Sequence, residues 1–472
     1  MTNLLAGISP LVLARWQFGV TTVFHFLFVP LTIGLAFLVA VLQTAFYKTK
    51  KPEYDRLARF YGKLFLVNFA IGVVTGIVQE FQFGMAWSHY STFVGNIFGA
   101  PLAIEALLAF FMESTFIGLW IFGRDRLSPR LHLASIWLVS LGTTLSAAFI
   151  IAANSWMQHP VGYKIDQATG QAVMTNFWAV MSNSTFISAY LHVLTAALAT
   201  GATFLLGIAA WHLKKKNDTS AFAKAAAIGV VVLLLSTLAT MFMGDNQARL
   251  MTQQQPMKMA AAEALYNSEN GASFSLLTIG NLSGDPVFQI RVPHALSVMA
   301  TGQWNGKVAG INELQAADVA KYGPGNYKPM LWVTYWSFRL MIGFGMLMLL
   351  LGVLGIWLLW RGKLPTSRRY LTFATWMIGA PFLANSFGWI FTEVGRQPWI
   401  VYGLMFTAKG VSPVGTGYFA TSLIGFTVLY GVLAIVEISL MFTLARRGTA
   451  ELIESDDTPD DEQAERPFAL IY

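Results

Sequence analysis

Long apolar stretches alternate with short polar ones along almost the whole chain. A hydrocarbon core about 30 Å thick requires roughly 20 apolar residues per helix. Nine stretches meet that length, at residues 17–46, 60–85, 98–122, 132–156, 184–212, 222–243, 331–360, 371–392 and 417–445. The pattern predicts an all-α, polytopic membrane bundle of about nine transmembrane helices. Residues 1–243 hold spans one to six and 331–445 hold spans seven to nine. A hydrophilic insertion, 244–330, separates them, and 446–472 form an acidic tail. Leu4, Leu5, Ile8, Leu11 and Val12 read as a short surface helix ahead of the first span. No signal peptide is evident, because Arg15 follows this apolar stretch instead of preceding it.

Basic residues set the orientation. Lys48, Lys50, Lys51, Arg56 and Arg59 follow span one. Every second loop repeats the bias, through Arg124, Arg126 and Arg130, then Lys214–Lys216, then Arg361, Lys363, Arg368 and Arg369, then Arg446 and Arg447. The intervening loop 86–97 has no basic residue and 157–183 has only Lys164. The rich loops therefore belong in the cytoplasm, with the N-terminus outside, the insertion on the outer side and the C-terminal tail cytoplasmic. No internal repeat is visible, which disfavours an inverted-repeat transporter.

Composition agrees with this reading. Charged residues make up 12% of the 472 positions and the mean hydropathy is +0.55, whereas soluble domains carry roughly 25% charge. The net charge of +7 reflects topology, and no nucleic-acid partner is expected. Cysteine is absent. Disulfides, thiolate metal sites, iron–sulfur clusters and cysteine-attached haem are excluded, leaving His, Met and carboxylates for any metal centre.

Polar groups at membrane depth are expensive and mark candidate sites. Of seven histidines, only His25 and His192 lie well inside spans, each about 15 Å below the outer surface by residue count. Two deep histidines cannot supply the two facing pairs of a four-helix cytochrome b or the six ligands of a haem–copper oxidase. If haem is bound, some axial ligands must be Met or carboxylate. Glu105 and Glu113 share span three, roughly 12 Å apart in depth and about 80° apart around an ideal helix, a placement suited to proton relay. Arg339 and Met341 lie in the outer part of span seven, and Glu393, Arg396, Gln397 and Trp399 end span eight. Glu393 and Arg396 read either as an interfacial salt bridge or as a cradle for an anionic group. His25, His192, Met341, Glu105 and Glu393 come from five spans and share the outer half of the bilayer, as residues around a cofactor would.

These motifs resemble subunit I of the cytochrome bd quinol oxidases, and the match covers nearly all nine spans. It rests on Arg15-Trp-Gln-Phe-Gly, Phe24–Pro30, Pro101–Glu105, Glu113–Phe116, Asn154–Gln158, Trp336–Met341 and Gly388–Trp399. The resemblance implies three haems, a low-spin b, a high-spin b and a haem d that reduces oxygen. It implies His192 and Met341 as ligands of low-spin b with Arg339 beside it, His25 as ligand of haem d next to Glu105, and Glu393 as ligand of high-spin b. The His25 and Glu393 assignments remain exchangeable between the two neighbouring high-spin sites. The insertion corresponds to the family's quinol-binding loop, with Lys258 and Glu263 as quinol contacts. The resemblance further implies quinol oxidation outside and oxygen reduction to water with cytoplasmic protons, in a bacterial plasma membrane; Glu113 and Ser146, lying between the cytoplasmic side and Glu105, are the expected inner part of the proton path. Its partners would be membrane lipid, quinol, oxygen, a second membrane subunit and in some members a single-span peptide. Gly72-Val-Val-Thr-Gly76 offers a small-residue packing face. A cyanide-insensitive relative using only b haems would share the same ligands, and a haem-free ion transporter is the rival from another class.

Overall fold

The computed structural model describes residues 9–280 and 286–454, with side chains described to residue 449. Among them, eight helices are long and apolar enough to cross a membrane. They are α1 (Pro10–Thr49), α2 (Pro52–Met85), α3 (Ser88–Phe122), α4 (Pro129–Gln158), α5 (Ser184–Lys215), α6 (Thr219–Gln254), α8 (Leu331–Trp360) and α11 (Thr416–Glu454). A short helix in the insertion, α7 (Pro256–Glu263), follows α6 directly. The eighth predicted span is discontinuous. It consists of α9 (Arg368–Trp376), a 3₁₀ turn at Met377–Gly379 and α10 (Ala380–Gly395). Pro381 in the first turn of α10 has no N–H to continue a helix from α9, so hydropathy saw one span where the backbone makes two pieces.

Helix ends follow capping chemistry and not the apolar boundaries. Ser9, Ser128, Asn183 and Asp218 each accept a backbone N–H at the start of α1, α4, α5 and α6. The predicted outer loop 86–97 is largely helix, because α3 begins at Ser88 and buries Tyr90, Val94 and Ile97. Similarly, α6 continues through 244–254 into the hydrophilic insertion. Leu11 and Val12 belong to α1 itself. The rest of the expected surface helix (Leu4, Leu5, Ile8) and the acidic tail from residue 455 lie outside the described residues.

The two ends of the bundle are chemically distinct. At one end Asp218 accepts from Arg56 Nε and Nη2 (2.9 and 3.1 Å) and from Thr449 (2.6 Å), and Asp55 pairs with Arg124 and Arg59. Burial pushes the Asp218 carboxyl up, but the Arg56 and Thr449 hydrogen bonds outweigh it and hold the pKa at about 2. These are the Arg- and Lys-rich loops assigned to the cytoplasm. At the other end the insertion packs over the loops 157–183 and 396–415. Gln255 donates to Gln158, Lys258 to the Thr392 carbonyl, and Arg15 to Gln397. A hairpin pairs Phe274–Gly280 with Pro286–Val292 antiparallel, Phe274 opposite Val292.

Lipid tails are as apolar as leucine, so helix association in a membrane depends on close packing. Gly34 on α1 and Gly201 on α5 meet backbone to backbone; a Cβ on Gly34 would lie 2.3 Å from the Ala197 carbonyl. The Gly72–Gly76 face, expected as an external packing surface, is occupied within the chain. A Cβ on Gly72 would meet Phe28 at 3.2 Å, and one on Gly76 would meet the His25 ring at the same distance. The reason is that α2 turns this face toward α1.

Candidate functional site

Hydrogen bonds sort the histidines. His25 on α1 bonds through Nδ1 to the Thr75 hydroxyl on α2, at 3.0 Å. The Thr75 hydroxyl also lies within hydrogen-bond reach of the Ile71 and Gly72 carbonyls one turn back, and when it donates to either it accepts from the imidazole. His192 on α5 bonds through Nδ1 to the Thr240 carbonyl of α6, at 3.1 Å, and a carbonyl can only accept. His192 is therefore the Nδ1–H tautomer, His25 engages Thr75 through the same ring nitrogen, and neither Nε2 has a hydrogen bond among the described residues. A second group that orients an imidazole and frees its other nitrogen is the usual surrounding of a metal-binding histidine. The other buried histidines differ. His132 uses both nitrogens, on Gln43 and the Trp120 carbonyl, and His212 bonds the Ala445 carbonyl and Asn217. These two tie helices together.

Glycines face the free rings. Gly76 leaves room beside His25 and Gly244 beside His192, where a Cβ would lie 3.4 Å from the ring. Met341 on α8 points its sulfur at Gly388 on α10, where a Cβ would come within 2.9 Å. Among the described residues no three His, Asp or Glu side chains gather as a protein-only metal site. A porphyrin supplies its own equatorial nitrogens and requires only axial side chains. The donor set of two imidazoles, one thioether and carboxylates fits that group.

The insertion and α8 meet in a buried ion pair. Arg339 Nη2 donates to Glu263 Oε2 at 2.6 Å, with the side chains only 8% and 1% exposed. The same carboxylate oxygen accepts the Ser275 backbone N–H, and Phe274, Tyr335 and Phe338 surround the guanidinium. Glu263 Oε1 and Arg339 Nε and Nη1 are buried without partners. Burial pushes the Glu263 carboxyl up, against the opposing charge of Arg339. Lys258, one turn earlier on α7, lies along Gly395, whose missing side chain gives its alkyl stem room. Its ammonium donates to the Thr392 carbonyl at 3.1 Å and lies 3.4 Å from Gln158 Oε1. Burial first, then the charge of Arg396, lowers its pKa to about 7, with Glu393 opposing.

Glu393 on α10 is held from two sides, by Asn154 Nδ2 at 2.9 Å and by Arg396 Nη2 at 2.5 Å. Each carboxylate oxygen keeps a second lone pair. The salt bridge read from the sequence is present, yet Arg396 Nε and Nη1 remain buried and unpaired, so donors for an anionic group coexist with it. Gln397 and Trp399, read as cofactor contacts, are engaged by the chain. Gln397 Oε1 accepts from Arg15 and Thr407, and Trp399 stacks on Phe406 at 4.2 Å beside Tyr322 and Tyr327. They position this corner.

On the α3–α4 seam, Ser146 donates to Glu105 Oε1 at 2.6 Å. One turn away, Gly142 lets Glu113 lie against α4, and the buried Glu113 Oε1 has no partner. The 80° separation expected for the two acids assumed a regular α-helix. In fact Glu105–Phe110 is a π-helical stretch, closed by a bond from the Phe111 N–H to the Ala106 carbonyl. Its wider turn alters the relative facing of the acids, and such stretches recur at functional sites.

The sequence reading missed Thr75, Thr240 and the glycines facing the rings. Thr75 lies 50 residues from His25, and no periodicity connects them. Replacing Thr75 with Val, which keeps the shape and removes the acceptor, is expected to lower affinity at the His25 site by roughly 10- to 100-fold. Haem retention in the purified Thr75→Val variant measures this.

A profile described as cytochrome bd terminal oxidase subunit I matches residues 13–449. The chain is 48% identical to the cytochrome bd ubiquinol oxidase subunit 1 of Bacillus subtilis (strain 168), over 96% of each chain. It is 36% identical to the cytochrome bd-II ubiquinol oxidase subunit 1 of Escherichia coli (strain K12), over 94% of this chain and 98% of the relative. The solved bd oxidase from Geobacillus thermodenitrificans superimposes with a TM-score of 0.85 at 28% identity, covering 93% of this chain and 99% of that one.

Proposed function

The chain belongs to the cytochrome bd terminal oxidase subunit I family, a family of haem-containing, oxygen-reducing quinol oxidases, and from that premise we propose how its residues divide the work. It is a multi-pass membrane protein, and the family works with a second subunit. We assign it to a bacterial plasma membrane, with that subunit and in some assemblies a single-span peptide as partners.

The observation that carries the site assignment is the pair of imidazoles anchored through Nδ1, each with Nε2 free and each facing a glycine. His192 and Met341 would hold a low-spin b haem, with Arg339 beside it. His25 would hold haem d and Glu393 a high-spin b haem, those two assignments being exchangeable. Bound haem supplies the one-electron redox steps and the place where oxygen is reduced.

The chain's own residues handle the protons. A quinol must lose two protons with its two electrons, and a base with a pKa near the working pH serves best. Lys258, at about 7, is the group in the outer loop that meets this requirement, and Glu263, whose Oε1 is unpaired, offers a carboxylate acceptor. Protons released there leave on the outer side. Glu113, Ser146 and Glu105 carry protons inward from the cytoplasmic side along the α3–α4 seam. Taking protons from one side and releasing them on the other separates charge without a pump, corresponding to about 2.3 kcal/mol per elementary charge per 100 mV. A haem-free transporter leaves the two free imidazole nitrogens without a purpose.

A reduced-minus-oxidised optical spectrum with haem extraction tests the reading. The expected result is both b- and d-type haem; b haem alone would replace the haem d assignment, and a colourless folded protein would overturn the site. Independently, Glu113→Gln is expected to slow oxygen reduction by about 10²-fold or more while quinol still reduces the enzyme. Equal rates in the variant and the parent protein would remove Glu113 from the path.

A further inference from the structure

Glu437 is an acid in the middle of the last span that the functions above do not use. It lies nine residues before the cytoplasmic Arg446, about 14 Å at 1.5 Å per residue. Most of α11 faces outward from the bundle. Ile435 and Ile438 are 71% and 66% exposed, yet Glu437 between them is only 8% exposed, and its Oε2 is buried without a partner. A carboxyl turned inward at membrane depth with no ion pair costs free energy that packing alone does not recover.

Three helices bring polar groups to its height. Helix α11 runs antiparallel to α2. Tyr430 donates to the Thr75 carbonyl at 3.2 Å, and nearer the cytoplasm Thr449 and Arg56 share Asp218. Seven residues are close to two helical turns, about 10.5 Å, and return to nearly the same face. Seven residues beyond Tyr430 is Glu437, and seven residues back from Thr75 is Asn68, so the two stand level. On α1, Phe24 stacks on Tyr430 at 4.8 Å, which puts Thr32 at that height too. Asn68 is buried and donates to Thr32 Oγ1 at 2.7 Å and to the Phe28 carbonyl at 3.0 Å. One step of two turns outward, Thr75 holds His25.

We propose that Glu437 is the proton-carrying carboxyl of a second cytoplasmic route, along the seam of α1, α2 and α11, which passes Asn68 and Thr32 and ends at Thr75 and His25. This rests on the reading that oxygen is reduced at the group held by His25. Reduction of oxygen to water takes one proton for each electron, and the electrons come from quinol. The Glu437 carboxylate takes a proton from cytoplasmic water, becoming the neutral acid, and releases it toward the His25 side, returning to carboxylate. The route is distinct from the seam of Glu113 and Ser146, since it uses α2 and α11 in place of α3 and α4.

The test uses the purified oxidase with its second subunit and compares the parent protein, Glu437→Gln and Glu113→Gln. Two quantities are read: proton uptake when the reduced enzyme meets oxygen, followed with a pH-indicating dye, and the carboxyl band in the reduced-minus-oxidised infrared spectrum. Glu437→Gln is expected to abolish one carboxyl band and to slow uptake roughly threefold. That is short of the 10²-fold typical of a lost proton-transfer group, because the other route remains. An unchanged band and unchanged uptake in Glu437→Gln, with uptake slowed in Glu113→Gln, overturn the second route and leave the oxygen-site reading intact. A parent enzyme that takes up no protons with oxygen overturns that reading itself. Should Glu437→Gln fail to assemble, Glu437→Asp keeps the carboxyl and is expected to displace the band; an unmoved band overturns the proposal.

Discussion

Replacing Arg339 with Leu is expected to destabilise the protein by about 3–5 kcal/mol, the range for removing one partner of a buried ion pair, and to lower quinol oxidation by about 10²-fold. Among the described residues Glu263 has one cation at hydrogen-bond distance, Arg339, and its side chain is 1% exposed. Without the guanidinium the carboxylate stays buried with only the Ser275 N–H to meet it, and its remedy is to take a proton. The protonated acid no longer serves as a base, so stability and quinol chemistry fail together. Thermal unfolding of the purified oxidase measures the first effect, and turnover with quinol against an artificial donor that bypasses the loop measures the second. The double variant Arg339→Leu with Glu263→Gln separates them. Removing the stranded charge is expected to restore much of the stability but not the quinol activity, a non-additivity of the kind neighbouring groups show. Equal losses with both donors would place Arg339 outside quinol chemistry.

Met341→Leu is expected to remove the low-spin haem signal and reduce quinol-driven oxygen consumption by more than about 100-fold. Groups that merely orient a ligand are worth 10- to 100-fold, and Met341 is assigned as a ligand. Leu and Met have similar volumes, and such core exchanges usually cost less than about 1.5 kcal/mol. Met341 packs among Ala262, Phe338 and Phe391, where a Leu side chain is accommodated. The fold should therefore survive while the thioether is lost. The difference spectrum of the variant decides: an unaltered low-spin band removes Met341 from the ligand set and reduces its contact with Gly388 to packing.

The residues differ in how far the sequence revealed them. His25, His192, Glu105, Glu113 and Glu393 stood out because each is polar inside an apolar stretch, and desolvation makes such positions expensive whatever the surrounding fold. Glu437 carried the same signal and was passed over beside the richer motifs of spans three and eight. Arg339 and Glu263 were each noticed, but for different roles, haem and quinol. That they are one ion pair at 2.6 Å depends on the insertion folding back over α8, which no residue spacing encodes.

Apolar run length, the alternation of basic loops, the absence of cysteine and the deep polar residues were enough to specify a membrane bundle, its orientation and the side chains available to bind iron. These are properties of single residues and local segments in a solvent of known thickness. Tertiary structure alone decided that Thr75 and the Thr240 carbonyl orient the imidazoles, that Gly76 and Gly244 clear space beside them and Gly388 beside the Met341 sulfur, that the eighth span is broken at 377–379 and that α3 widens into a π-helix. Each depends on which faces of distant helices meet. In a membrane that is settled by close steric fit between helices, and a fit of that kind leaves no periodic trace in the chain.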